Sequence, residues 1–228
     1  MAESPAVELA IDTASRTASV AVMRDDEVLA ERQWELETTF SQELLAAIDG
    51  ILRSADVERT ALTHIAVAVG PGGYTGLRTG VATAQGLAFA LDLPLAGVAR
   101  LEADALPLLG GRPVAAVHDL GGTRGVAWAV YEAGTTPVAV VEPRIDSAED
   151  CAQAAPLGVT WTGEVTDELR AALAAAGREG DEFAAASEPR AVTIIRLARL
   201  YDAYGDPADV DVLYLRPPSI TRPGERSR

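Results

Sequence analysis

The sequence predicts an α/β fold built of two related halves, each a mixed β-sheet flanked by helices. Three observations carry that prediction. Apolar strands come first in an antiparallel run and then alternate with helical segments, an order that places helices on the faces of a sheet. A strand ending in Asp, a small polar turn and a second strand occur twice. The first copy is Leu9-Ala-Ile-Asp12-Thr-Ala-Ser15 before Ser19–Met23; the second is Val114–His118 with Asp119-Leu-Gly-Gly-Thr123 before Val126–Tyr131. Finally, the apolar strand His64–Val69 runs into a glycine-rich turn, Gly70-Pro-Gly-Gly-Tyr-Thr-Gly76, and the turn opens a helix of small residues ending near Leu91.

Taken in order, Val7–Asp12 and Thr17–Arg24 read as strands. Asp25-Asp26 forms a hairpin turn into a third strand over Glu27–Glu35. Phe40–Arg53 has helical spacing, with Phe40, Leu44, Leu45, Ile48 and Leu52 on one face and Ser41 as N-cap. The glycine turn, its helix and a short strand at Leu95–Ala99 complete a first lobe over residues 1–112. The second lobe, 113–216, is reduced, with helical stretches at Ser147–Ala155, Thr166–Ala176 and Arg190–Tyr204. The Pro- and Arg-rich segment 217–228 reads as a loosely ordered tail.

Composition narrows the chemistry. The 228 residues are 48% hydrophobic and 23% charged, which is ordinary for a globular chain with a full core. No apolar run is long enough to cross a bilayer and the N-terminus lacks a secretory pattern, so a cytoplasmic, membrane-free protein is expected. All 19 basic residues are arginine, which removes Schiff-base, Walker-lysine and lysine-base chemistry. A net charge of −15 repels polyanions, so nucleic acid would be held through a more basic partner. His64 and His118 lie beside apolar strands without metal-ligand spacing and read as structural. Cys151, in an Ala-rich stretch, reads as an inert thiol, and Trp34, Trp128 and Trp161 as core or edge residues. No metal site is expected.

The glycine turn matches neither the P-loop nor the dinucleotide fingerprint, and with Tyr74 at the centre of Gly72–Gly76 it is no serine elbow. Two readings remain: an anion at the helix start near Arg78, or, preferred, a tight strand-to-helix connection. Along the helix, Gly76, Gly80, Ala84 and Ala88 form one small-residue stripe, and Ala82, Gly86 and Ala90 a neighbouring one. With Val81, Leu87 and Leu91 free to cover the sheet, the first stripe either packs within the fold or admits a partner helix. Asp12-Thr13 and Asp119–Thr123 either bind a phosphate or cap their own turns, and for Asp12 the local cap is preferred.

Two halves that each begin with an Asp-terminated hairpin resemble the actin, sugar-kinase and Hsp70 superfamily. Within it, Leu9–Ala14, Gly70–Arg78, Gly80–Ala88, Gly97-Val98 with Leu101–Ala103, and Tyr214-Leu-Arg216 resemble the TsaB (YeaZ) family. That family is a non-catalytic paralogue of TsaD in tRNA threonylcarbamoyladenosine formation. The resemblance implies a two-lobed actin-like fold and a complex that transfers threonylcarbamoyl to N6 of adenosine 37 in tRNAs reading ANN codons. TsaD would hold the metal and do the transfer, TsaC would make the adenylate, and TsaE would reset the complex with ATP and magnesium. The chain itself would bind no cofactor and would meet tRNA only within the complex. The implied surface for TsaD, or for a second copy, is Leu44, Leu45, Ile48, Gly76, Gly80, Thr83, Ala84, Leu87 and Ala88. Asp12, Thr13, Arg78, Asp119, Gly121, Gly122 and Thr123 would be relics of nucleotide turns. The chain departs from the family at Phe40, where many members carry His, and at Asp119–Thr123, which resembles the Hsp70 turn and leaves a nucleotide site open. The alternative is a stand-alone ATP-dependent phosphotransferase or ATPase using Asp12, Asp119 and Thr123. A peptidase has no support in the residues.

Overall fold

The computed structural model describes residues 5–35, 40–121, 124–185 and 190–216. Among the described residues, ten strands form two five-stranded sheets. The first comprises β1 (Val7–Asp12), β2 (Thr17–Arg24), β3 (Glu27–Glu35), β4 (His64–Gly70) and β5 (Leu95–Ala99), in the order β3-β2-β1-β4-β5. The second comprises β6 (Val114–Asp119), β7 (Val126–Glu132), β8 (Val138–Asp146), β9 (Thr160–Gly163) and β10 (Glu182–Phe183), in the order β8-β7-β6-β9-β10. In both, the first three strands are antiparallel neighbours and the last two add in parallel. The duplication read from the two Asp-terminated strands is therefore a repeat of whole-sheet topology. Strands β8, β9 and β10 are not anticipated by the sequence reading. Pro143 and charged residues interrupt β8, and the other two are too short for a periodic signal.

Helices α1 (Phe40–Ser54) and α2 (Tyr74–Leu91) cover one face of the first sheet. Helix α6 (Arg190–Leu200) covers the other. The two faces are built differently. Leu9, Ile11, Ile65 and Val67 point toward α1 and α2, whereas Ala10, Ala21, Ala66, Ala68 and Ala96 point toward α6. Alternation along a strand puts these sets on opposite sides, and the alanines let α6 lie close. Helix α3 (Arg100–Ala105), also not anticipated, stands between the lobes: Ala103 joins the core with α6, and Leu101 and Ala105 pack on Val114, Ala116, Ala129 and Tyr131 of the second sheet. Helices α4 (Ala148–Ala154) and α5 (Asp167–Ala175) close the far face over the fully buried Trp128 and Trp161. Each has a side-chain N-cap: Ser147 accepts from the Asp150 N–H at 3.0 Å and Thr166 from the Leu169 N–H at 3.2 Å.

The sequence division at 112/113 falls between the two sheets, yet the chain returns. Helix α6 belongs to the first core, and beyond it Gly205 bridges to Leu95 of β5. Gln85 of α2 donates to the carbonyls of Pro207 (3.0 Å) and Val210 (2.9 Å), and the Leu213 N–H donates to Val69 O at 2.8 Å. Residues 205–214 thus strap the first lobe. Segment 217–228 lies outside the described residues. Among the described residues, no helix is long and apolar enough to cross a membrane.

Candidate functional site

The glycine turn seats the first Asp turn. Gly70 has φ +124°, a region that favours glycine, and a Cβ there would lie 2.7 Å from Leu213 O. A Cβ on Gly72 would lie 2.3 Å from Ala14 O, and one on Gly80 would lie 2.2 Å from Thr13 Oγ1. The buried Thr13 hydroxyl donates to Gly76 O at 2.7 Å, and the Gly73 N–H donates to Ala14 O at 2.9 Å. The turn is a tight connection, as preferred from sequence. Arg78 is exposed, and its guanidinium lies 4.4 Å over the Tyr74 ring and donates to the Tyr214 hydroxyl at 2.9 Å.

This packing corrects the expected partner surface. Gly76, Gly80, Ala84 and Ala88 are buried against the chain's own first sheet and its Asp turn, because β1 and Thr13 need that close approach. Leu44 and Ile48 are core residues, and Leu87 and Thr83 are half-buried. Of the nine implied residues only Leu45, 53% exposed, stands fully outward. It therefore leaves the core face that the helical spacing assigned it; the side chains of Phe40 and Ser41 lie outside the described ones. What α2 presents to solvent is the neighbouring stripe, Ala82, Gly86 and Ala90, with Phe89 at 59% exposure. A Cβ at Gly86 would meet nothing within 4 Å.

Both Asp turns cap themselves: Asp12 Oδ1 accepts from the Ala14 N–H and Asp119 Oδ1 from the Gly121 N–H, each at 2.9 Å. Gly122 and Thr123 lie outside the described residues. Beyond its cap, Asp12 is fully buried and its Oδ2 receives the guanidinium of Arg190, whose Nε donates to Asp104 Oδ1 at 2.6 Å. Asp104 is paired in turn with Arg100 one helical turn back (3.5 Å). Arg100, fully buried, donates to Glu164 Oε1 at 2.8 Å, and Glu164 Oε2 accepts from the Asp119 N–H at 3.1 Å. One chain of charges thus runs from the first Asp turn to the second. Its members Asp104, Glu164 and Arg190 line a polar cleft of about 480 Å³ between the lobes, together with Ser15, Ser19 and Gln33. Arg100, Asp104, Glu164 and Arg190 were missed from sequence because they belong to no motif. The available signal was the lone arginine in Gly97-Val-Ala-Arg-Leu101.

His118 Nδ1 lies between Arg100 and Glu164 Oε2, the latter at 2.8 Å. As an N–H it donates to Glu164; as a lone pair it accepts from Arg100; it serves one at a time. Burial, and then the charge of Arg100, push its pKa below the usual 6.5. For Glu164 burial works the other way, but the hydrogen bond from His118 and the charge of Arg100 outweigh it, so its pKa falls well below the usual 4.5. Both folded-state pKa values are depressed, so the unfolded chain binds more protons and stability is lost as pH falls. Chemical denaturation from about pH 8 to about pH 4 should show midpoints that decline first below the free-histidine pKa and again below the free-glutamate pKa. His118→Asn should remove the first decline.

His64 is structural: Nδ1 meets Thr63 Oγ1 at 2.8 Å and the ring packs on Tyr204. Cys151 is buried, and burial pushes its thiol up to about 12. No group of three or more His, Cys, Asp or Glu among the described residues is arranged to hold a metal ion.

The family model described as TsaD: tRNA N6-adenosine threonylcarbamoyltransferase matches residues 34–177, more than half of the chain. The tRNA threonylcarbamoyladenosine biosynthesis protein TsaB of Bacillus subtilis is 42% identical over 94 residues, 41% of this chain and 41% of that protein. The chain therefore matches about two-fifths of the length of such relatives. A Mycobacterium tuberculosis protein described as uncharacterized is 32% identical over 161 residues, covering 68% of this chain and 72% of its own length. Among solved structures, a Pseudomonas aeruginosa protein described by its similarity to peptidase YEAZ superposes with a TM-score of 0.77 at 24% identity, over 92% of this chain and all of that one. The two-lobed α/β fold read from the duplication is shared along nearly the whole chain, and with these matches the chain belongs to the TsaB (YeaZ) family.

Proposed function

We propose that the chain is a non-catalytic subunit of the machinery that installs threonylcarbamoyl on N6 of adenosine 37 in tRNAs reading ANN codons. In this reading it scaffolds and activates TsaD, while TsaC and TsaE act as functional partners. ATP and magnesium serve the complex rather than this chain, and tRNA is met through the complex. One observation carries the non-catalytic assignment. Asp12, the carboxylate a phosphotransferase would need free, is buried and ion-paired to Arg190. A cation or metal-bound phosphate at that turn would have to displace a guanidinium held by two carboxylates. The same observation weighs against the stand-alone ATPase, which also needs Asp119, itself turned onto the Gly121 N–H.

The surface for TsaD, or for a second copy, is the outward face of α1 and α2: Leu45, Ala82, Gly86, Phe89 and Ala90. Two exposed large apolar residues beside small ones make a face that a partner helix can approach. Phe89→Glu and Gly86→Trp should leave melting unchanged and weaken association with TsaD by tenfold or more, about 1.4 kcal/mol. The test is co-purification with TsaD followed by modification of tRNA with and without this chain. Stoichiometric ATP binding by the isolated chain, lost in Asp119→Asn, would instead establish the ATPase reading.

A further inference from the structure

The layout of the polar network between the lobes assigns it a task of its own. Arg190 opens α6, which is packed on the first sheet, and one of its carboxylates, Asp12, ends β1 of that sheet. Its other carboxylate, Asp104, sits on α3, whose Leu101 and Ala105 are seated on the second sheet. Arg100 then carries the chain from α3 to Glu164 at the end of β9. The Arg190–Asp104 link joins the core of the first sheet to a helix seated on the second, parts that must separate if the cleft opens, and the Arg190–Asp12 and Arg100–Glu164 pairs anchor its two ends. Asp12, Asp104 and Arg100 are all at most 5% exposed, so none could be rehydrated without that opening. Breaking one link strands a buried charge, which is strongly unfavourable.

We infer that this relay locks the angle between the lobes, and that the Arg190 guanidinium is the built-in occupant of a two-carboxylate cation site formed by Asp12 and Asp104. The site takes a planar cation with divergent N–H donors: Nε addresses Asp104 and Nη1 addresses Asp12, a fork that an ammonium cannot reproduce from one position. Opening of the cleft is suppressed without any bound small molecule. The protein then presents its partner with one fixed shape.

The experiment uses the full chain spin-labelled at Gly50→Cys and Leu157→Cys. These lie on the outer layers of the two lobes, the first where a Cβ meets nothing within 4 Å and the second at 77% exposure. The buried Cys151 stays unlabelled. The labelled chain, with Arg190 present, should give a single narrow interlobe distance, and Arg190→Ala should lose it. Millimolar guanidinium chloride should restore the narrow distance in Arg190→Ala, whereas urea, of the same shape but uncharged, should not. Asp104→Asn, which keeps the side-chain volume and removes the charge joining the two arginines, should also broaden the distribution, and it decides the matter if Arg190→Ala does not fold. A distribution as narrow in the variants as in the parent overturns the inference. So does a broadening that guanidinium leaves unchanged or that urea reverses equally.

Discussion

Gly80→Leu is expected to destabilise the monomer severely, while Gly86→Leu, six residues further along the same helix, should leave folding intact. At Gly80 even a Cβ would lie 2.2 Å from the Thr13 hydroxyl oxygen, with Ile11 next in line. Thr13 cannot move aside freely, because its hydroxyl is buried and bonded to Gly76 O. Overpacking costs about 1–3 kcal/mol, and a buried hydroxyl and carbonyl left unpaired cost about as much again, so a loss of about 3 kcal/mol or more is expected. At Gly86 the added side chain enters open space and costs the helix nothing in packing. Urea denaturation at concentrations where both variants are monomeric separates the two. Equal destabilisation would mean that α2 packs with a different face inward. A Gly80→Leu protein that folds normally but no longer pairs would return the partner surface to the Gly76-Gly80-Ala84-Ala88 stripe.

Arg100→Ala should cost about 3–5 kcal/mol at neutral pH, the range for removing one partner from a buried ion pair. Arg100 is completely buried and links Asp104 on its own helix to Glu164 at the end of β9. Its loss leaves the buried Asp104 with Arg190 as its one remaining cation among the described residues, and the half-buried Glu164 without its arginine. A domain has about 5–15 kcal/mol of stability in all, so the variant should sit near the edge of folding. Because the penalty comes from uncompensated carboxylates, Glu164→Gln in the Arg100→Ala background should recover part of it, a coupling visible in a double-mutant cycle. A cost below about 1 kcal/mol would mean that water reaches the carboxylates and that the network behaves as a surface one.

Much of the fold was legible in the chain. Strands β1, β2, β3 and β5 fall on their predicted bounds, and α1, β4, β6 and β7 within a residue of them, since each has an apolar pattern of the right period between clear breakers. The paired Asp turns announced a duplication that both sheets display. The partner-facing side of α2 was not legible. A run of Gly, Ala and Thr has nearly the same hydrophobicity all round, so the period of the helix could not show which face is inward. The decision rests on Thr13, sixty-seven residues earlier in the chain and directly beneath Gly80. Likewise, α3 is only six residues long, too short for a periodic signal, and its Arg100 and Asp104 are both buried.

The sequence by itself determined the α/β class, the two related halves and the absence of lysine chemistry. All of these follow from local patterns, in which a residue and its near neighbours suffice. Tertiary structure alone decided that the small-residue stripe is internal, that α6 returns to the first sheet, and that Asp12 belongs to Arg190. Each of those is a pairing across long stretches of chain, 178 residues in the case of Asp12 and Arg190. A charge reads as solvated until its partner is known. Only the fold brings Asp12, Arg190, Asp104, Arg100 and Glu164 into one line, and burial then makes their mutual neutralisation obligatory.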